Sequence, residues 1–130
     1  DGAWCEFVLP RNLRLDALVL DFELDARGLR GGSLILHNCQ ATEKVSFDSS
    51  EFDGDLSIEG GQFAQSSNFS RITVGGAFRT SAAFQRDASF AGAVFKGWVR
   101  IGGEFNGAAN FASSSFHDGA DFAGSVYIYG

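Results

Sequence analysis

A chain of 130 residues, 45% of them apolar, has the length of one domain and enough apolar material for a core. Its formal net charge of −6 opposes binding to nucleic-acid phosphates and raises mimicry of nucleic acid instead. No apolar run approaches the ~18 residues of a membrane span and no signal-peptide pattern stands in the chain, so the cytoplasm is the expected location unless a segment was removed before Asp1.

The aromatic content is 14 Phe against 2 Trp and 2 Tyr, and the 17 Gly accompany a single proline, Pro10. The phenylalanines are regularly placed, which separates this composition from disorder. There is no methionine, so the chain is expected to begin inside a longer protein, after a processing site, or at an engineered boundary. Cys5 and Cys39 read as two buried small hydrophobes in a reducing compartment rather than as a disulfide.

Residues 1–12 lie outside any rhythm. Trp4, Phe7, Val8 and Leu9 are apolar and Pro10 ends the segment. A stack of repeats exposes an apolar cross-section at its end, and this stretch is expected to be its N-terminal cap or a linker. Residues 13–130 form the second unit. Over 13–43 a leucine series runs in steps of five, Leu24, Leu29, Leu34 and Cys39, with Leu15 and Leu20 extending it backwards. Gly31 and Gly32 mark a corner, and the eight residues from Cys39 to Phe47 predict a bulged loop at about 40–44.

From residue 44 the chain keeps a clock. Phe47, Phe69, Phe90 and Phe111 are 22, 21 and 21 residues apart. Three further columns share the stride: Phe52, Val74, Phe95 and Phe116; Ile58, Phe78, Ile101 and Phe122; Phe63, Phe84, Phe105 and Tyr127. Four anchors per turn, mostly five or six residues apart, describe a coil with four short sides. The position two before each anchor also turns inward, and at twelve of the sixteen anchors it is Gly, Ala or Ser, with Val45, Leu56, Ile72 and Val99 as exceptions. Neither a helix nor a simple β-sandwich predicts such a stride; a solenoid does.

Ala109-Asn110-Phe111, Ala120-Asp121-Phe122 and Ser67-Asn68-Phe69, with the looser Ala88-Ser89-Phe90, place a small residue, then Asn or Asp, then Phe. This unit resembles that of the pentapeptide-repeat family, over about residues 13–130. The resemblance implies an all-β fold, a right-handed quadrilateral parallel β-helix of five to six coils. At ~4.8 Å per coil such a rod is roughly 25 Å long. Six-residue steps and the pairs Gly60-Gly61, Gly75-Gly76 and Gly102-Gly103 depart from the family's pattern and predict distorted sides.

The chemistry-bearing residues are sparse. His37 and Cys39 are two apart without the further ligands a zinc site needs, and His117 has no nucleophile beside it in sequence. The glycine pairs precede no helix, so they read as corners rather than phosphate cradles. Asn68-Phe69-Ser70 spells a glycosylation sequon around a core Phe and reads as coincidence. The expectation is therefore no catalytic, cofactor or metal site and no direct contact with nucleic acid or membrane.

Some pentapeptide-repeat proteins bind DNA gyrase by resembling a DNA duplex, so the resemblance brings a DNA-mimicking topoisomerase binder into view. Against it, residues 44–130 hold nine acids and six bases, and the row after the second anchor runs Asp53, Gly75, Lys96, His117. The row before the first anchor, Ser46, Asn68, Ser89 and Asn110, is a ladder of small polar groups suited to docking a partner, a glycan or ice, and it is also what the family places there for structural reasons. The leading expectation is a non-catalytic scaffold or protein-interaction module within a larger bacterial protein. The apolar end Val126-Tyr127-Ile128-Tyr129 reads as an association edge for homodimerisation, as the family's C-terminal coil often serves, or as the point where further coils follow.

Overall fold

The computed structural model describes residues 12–17, 19–121 and 127–128, with residues 12, 13, 16, 127 and 128 described by backbone alone. Every regular element described is a β-strand, and the strands form four parallel sheets, each one face of a quadrilateral solenoid. The first face stacks Asn12–Asp16, Ser33–His37, Leu56–Glu59, Phe78–Thr80, Val99–Ile101 and Ala120–Asp121. The second stacks Val19–Leu20, Gln40–Ala41, Gln62–Phe63, Ala83–Phe84, Glu104–Phe105 and Tyr127–Ile128. The third holds Leu24–Asp25, Val45–Ser46, Ser67–Asn68, Ala88–Ser89 and Ala109–Asn110, and the fourth Arg30–Gly31, Glu51–Phe52, Thr73–Val74, Val94–Phe95 and Ser115–Phe116. The chain visits the faces in that order, completes five coils and begins a sixth.

Strands this short have no stability alone. They are held because each coil donates backbone hydrogen bonds to the next, as in Phe47 N to Asn68 O at 2.7 Å, Phe69 N to Ser89 O at 2.7 Å and Phe90 N to Asn110 O at 2.6 Å. The same register stacks the side chains. Phe47 lies over Phe69 at 5.5 Å, Phe69 over Phe90 at 5.2 Å, and Phe90 over Phe111 at 4.9 Å, all within 7° of parallel. Phe63, Phe84 and Phe105 form a second stack at 5.2 and 5.1 Å, and Phe95 and Phe116 pair at 5.2 Å. Phe52, Phe63, Phe69, Phe78, Phe84, Phe90, Phe95 and Phe105 are fully buried and Phe47 nearly so, whereas Phe111 and Phe116, in the last complete coil, are half-buried. Phe122 lies outside the described residues.

Two inner positions per side, not one, carry the core. On the fourth face the neighbouring pairs, coil by coil, are Leu29 and Gly31, Ser50 and Phe52, Ile72 and Val74, Ala93 and Phe95, Ser114 and Phe116. A large residue in one row meets a small one in the other, and two medium residues meet each other. The third face repeats the trade in Leu24 and Ala26, Val45 and Phe47, Ser67 and Phe69, Ala88 and Phe90. From Ser50 onward the two positions complement each other in size, as close packing demands, while Val45 with Phe47 makes a fuller pair and Leu24 with Ala26 and Leu29 with Gly31 make smaller ones.

The strand register corrects four sequence expectations. The leucine series occupies the row two before the phenylalanine columns, with Ala26, Gly31 and Ala41 at the anchor positions. The eight residues from Cys39 to Phe47 are therefore an ordinary six-residue side plus this two-residue offset. No bulge is needed: Gln40–Ala41 is a strand in register with Gln62–Phe63. On the first face Phe78 aligns with Leu56 and Val99, while Thr80 stands between Ile58 and Ile101, so Phe78 belongs to the earlier row and Gly76 is not its inner neighbour. On the second face Ile128, not Tyr127, aligns with Phe105.

The phenylalanine columns end together above the first coil, where Ala26, Gly31 and Ala41 replace rings. An apolar cavity of about 130 Å³ opens there, lined among the described residues by Leu20, Ala26, Leu29, Phe47 and Phe63 with their aliphatic neighbours. Two corners are also fixed by stacking. Gly28, Ser49, Arg71, Gly92 and Ser113 all turn with φ between 57° and 70°, one above another between the third and fourth faces. Gly32, Gly54, Gly76 and Gly97 stack between the fourth and first faces, with Gly54 N to Gly32 O at 2.9 Å and Gly76 N to Gly54 O at 2.8 Å.

Candidate interaction surface

The residues with chemical potential are not brought together. Cys39 is a buried free thiol, 1% exposed, in the inner row of the second face, where its Sγ approaches the Leu15 carbonyl at 3.5 Å and the His37 carbonyl at 3.8 Å. His37 is half-buried on the outer side of Ser33–His37, and His117 is exposed after Phe116. Among the described residues no three His, Cys, Asp or Glu side chains are grouped to hold a metal. Cys5 lies outside the described residues.

The ladder of small polar residues is real and has an occupation. Asn68 Oδ1 accepts from Ser70 N at 2.8 Å, and Asn110 Oδ1 from Ala112 N at 2.9 Å. Ser46 Oγ and Ser89 Oγ accept from Asp48 N and Ala91 N, each at 3.4 Å, and Asp25 begins the same row by accepting from Arg27 N. Each side chain satisfies the N–H two residues on as the chain turns the corner. The row is therefore bound to its own backbone rather than presented to a partner.

Beside it lies an open recess of about 520 Å³, lined by Glu23, Asp25, Arg27, Lys44, Asp48 and Asn68 among others. Two of its carboxylates are paired with arginines. Arg27 donates to Asp25 at 2.7 Å through both Nε and Nη2, and Arg71 donates to Asp48 at 3.0 and 2.6 Å. The hydrogen bonds from Arg27 hold the Asp25 carboxyl below the usual carboxylate range and push the Arg27 guanidinium higher. A carboxyl with a lowered folded-state pKa contributes stability at neutral pH and loses it as the pH falls through that value. These are exposed pairs, and Glu23 and Lys44 add one charge of each sign to the lining.

The first face differs. Its strands reach five residues, against two on the other faces, which makes it the broadest flat surface. Its outer row reads Arg14, Ile35, Ser57, Arg79, Arg100 and Asp121. Arg79 and Arg100 are directly opposite each other on adjacent strands, both exposed. Two positions before Arg100 on the same strand side stands Trp98, 48% exposed, in a corner row otherwise occupied by Asn12, Ser33, Asp55, Ala77 and Gly119. None of these three residues belongs to an apolar column. The same 21-residue stride, applied to the charged positions, relates Arg79 to Arg100.

Of the expected association edge, Tyr127–Ile128 closes the second face as its last strand, and Tyr129 lies outside the described residues. In that register Tyr127 aligns with Glu104, an outer position.

Among the described residues no helix is long and apolar enough to cross a membrane. Comparison of the chain with protein-family models, with characterised proteins and with solved structures returned no match.

Proposed function

We propose that this chain is a non-catalytic scaffold, a protein-interaction module of the pentapeptide-repeat kind carried in a larger bacterial protein. The observation that carries the reading is the division of labour between inside and outside. The interior is filled by stacked aliphatic and aromatic side chains. Among the described residues the charged side chains, by contrast, lie on the outer sides, some in ion pairs, and no three His, Cys, Asp or Glu side chains are grouped to hold a metal. A rigid rod with flat, chemically distinct faces is suited to presenting surface. The units Ser67-Asn68-Phe69, Ala109-Asn110-Phe111 and Ala120-Asp121-Phe122 support the family assignment.

The DNA-mimicking reading is less favoured by these faces. A duplex mimic needs rows of one sign, and the outer row of the first face passes from arginine through serine to aspartate, while Asp25 and Asp48 are neutralised by bidentate arginines.

Two experiments separate the readings. Cross-linking in cells with the full-length protein, unaltered and in four variants that each change the outer residues of one face, is expected to lose a protein partner from one variant while the others keep it. Retention of the same partners by all four folded variants contradicts a face-specific module. In a gyrase supercoiling assay the protein is expected to leave the reaction unchanged; inhibition at micromolar concentration would install the mimicry reading in its place.

A further inference from the structure

We infer that Trp98, Arg79 and Arg100 form the docking site of this module, and that its partner is an acidic protein segment carrying an apolar or aromatic residue next to its carboxylates. The inference rests on the interaction-module reading and adds to it a face and a partner chemistry.

Two local rules are broken at one spot. Like charges directly opposite on neighbouring strands are unfavourable. Arg79 and Arg100 are so placed, in a chain whose acids outnumber its bases 16 to 10. Among the described residues neither guanidinium makes an ion pair or a hydrogen bond within the chain, unlike Arg27, Arg30 and Arg71. Asp121 stands beyond Arg100 in the same row and forms no ion pair with it.

The second broken rule is Trp98. Its corner row holds small or short side chains in the other coils, yet here it carries an indole that is half exposed. The ring lies beside Gly119 of the next coil, where a Cβ would stand 3.9 Å from Cζ3, in ordinary contact with it. Conflicts of this kind without local compensation are expected at functional sites.

The chemistry specifies the partner. Two exposed arginines stand on adjacent strands, their backbones about one strand spacing, ~4.8 Å, apart, and a guanidinium takes a carboxylate through paired hydrogen bonds. A single carboxylate placed between them relieves their mutual repulsion. The indole supplies a flat apolar anchor, and Trp and Arg are the residues that dominate interface energetics. On the preceding strand Ser57, 4% exposed, donates to Glu59 at 2.7 Å, so the row beside Arg79 ends in a polar group already engaged within the chain.

The test uses a fluorescein-labelled octapeptide of alternating Glu and Phe, read by anisotropy against the protein. A Lys-Phe peptide, inorganic phosphate and a 20-base-pair duplex serve as the other arms. The acidic peptide is expected to bind, to weaken at least tenfold between 50 and 300 mM salt, and to weaken at least tenfold in Arg79→Glu/Arg100→Glu and in Trp98→Ala. Arg79→Gln/Arg100→Gln, with thermal melting of each variant, keeps the result readable should charge reversal disturb the fold. Equal binding by the unaltered and substituted proteins overturns this site while leaving a module with another face. Saturation by the duplex or by phosphate, with no binding of the acidic peptide, overturns the partner chemistry. No binding in any arm overturns the proposal outright.

Discussion

Phe90→Ala lowers the unfolding free energy by about 3–5 kcal/mol, the range of buried aromatic truncations. The ring has no exposed surface. It is stacked between Phe69 at 5.2 Å and Phe111 at 4.9 Å, and Phe78 meets its edge at 5.6 Å. Each such pair adds about 0.5–1.5 kcal/mol beyond area burial. The cavity left behind has little means of closing, because the coils on either side are pinned to a fixed strand spacing by their ladders. The loss also falls at the centre of a structure in which each coil touches only its neighbours, so it uncouples the two ends. Phe111→Ala costs less, since that ring is half-buried already. Urea unfolding of both variants checks this order, and a Phe90→Ala protein within about 1 kcal/mol of the unaltered one contradicts it.

Gly97→Ala destabilises by about 3 kcal/mol, the upper end of the overpacking range, while Gly28→Ala costs about 1 kcal/mol. The chemical change is identical and the surroundings are not. A Cβ at Gly97 would stand 2.6 Å from the Gly76 carbonyl carbon and closer still to its oxygen, both backbone atoms of the coil beneath. Relief requires prising two coils apart at a corner whose hydrogen bonds depend on their approach. At Gly28 nothing lies within 4 Å, and the cost is the φ of +70° alone. Equal melting temperatures for the two variants would remove close approach as the reason for the glycine stack.

Much of the architecture was legible because the stride is a property of large residues and large residues are easy to see. The four stacked phenylalanines of the third face follow from a spacing of 22, 21 and 21. The same habit caused the errors. Counting large residues assigns Phe78 to the wrong row, because Thr80 holds the anchor position and the phenylalanine sits two residues earlier. It shifts the leucine coil by two residues for the same reason. Only the register of the paired strands separates the two inner rows, and register is set by backbone hydrogen bonds that carry no residue signature.

The outer surface was less legible. The polar row before Phe47 was visible as a row, but its engagement with its own corners emerges from hydrogen-bond geometry. Arg79 and Arg100 become a pair through the first face's register, and Trp98 joins them through alternation along one strand.

The central claim is that the two inner residues of a side share one space, so that a larger residue at one position calls for a smaller one at the other. A double-mutant cycle at Ile72 and Val74 tests it most directly, because the coil before holds Ser50 and Phe52 at the equivalent positions. Ile72→Ser alone leaves a cavity and Val74→Phe alone overpacks, so each single variant is expected to lose stability, by about 2–4 and about 1–3 kcal/mol respectively. The double variant reproduces the neighbouring pair and is expected to recover about 2 kcal/mol or more relative to the sum of the singles, well above the ~0.5 kcal/mol within which independent sites add. Simple additivity of the two losses in urea unfolding would contradict the claim.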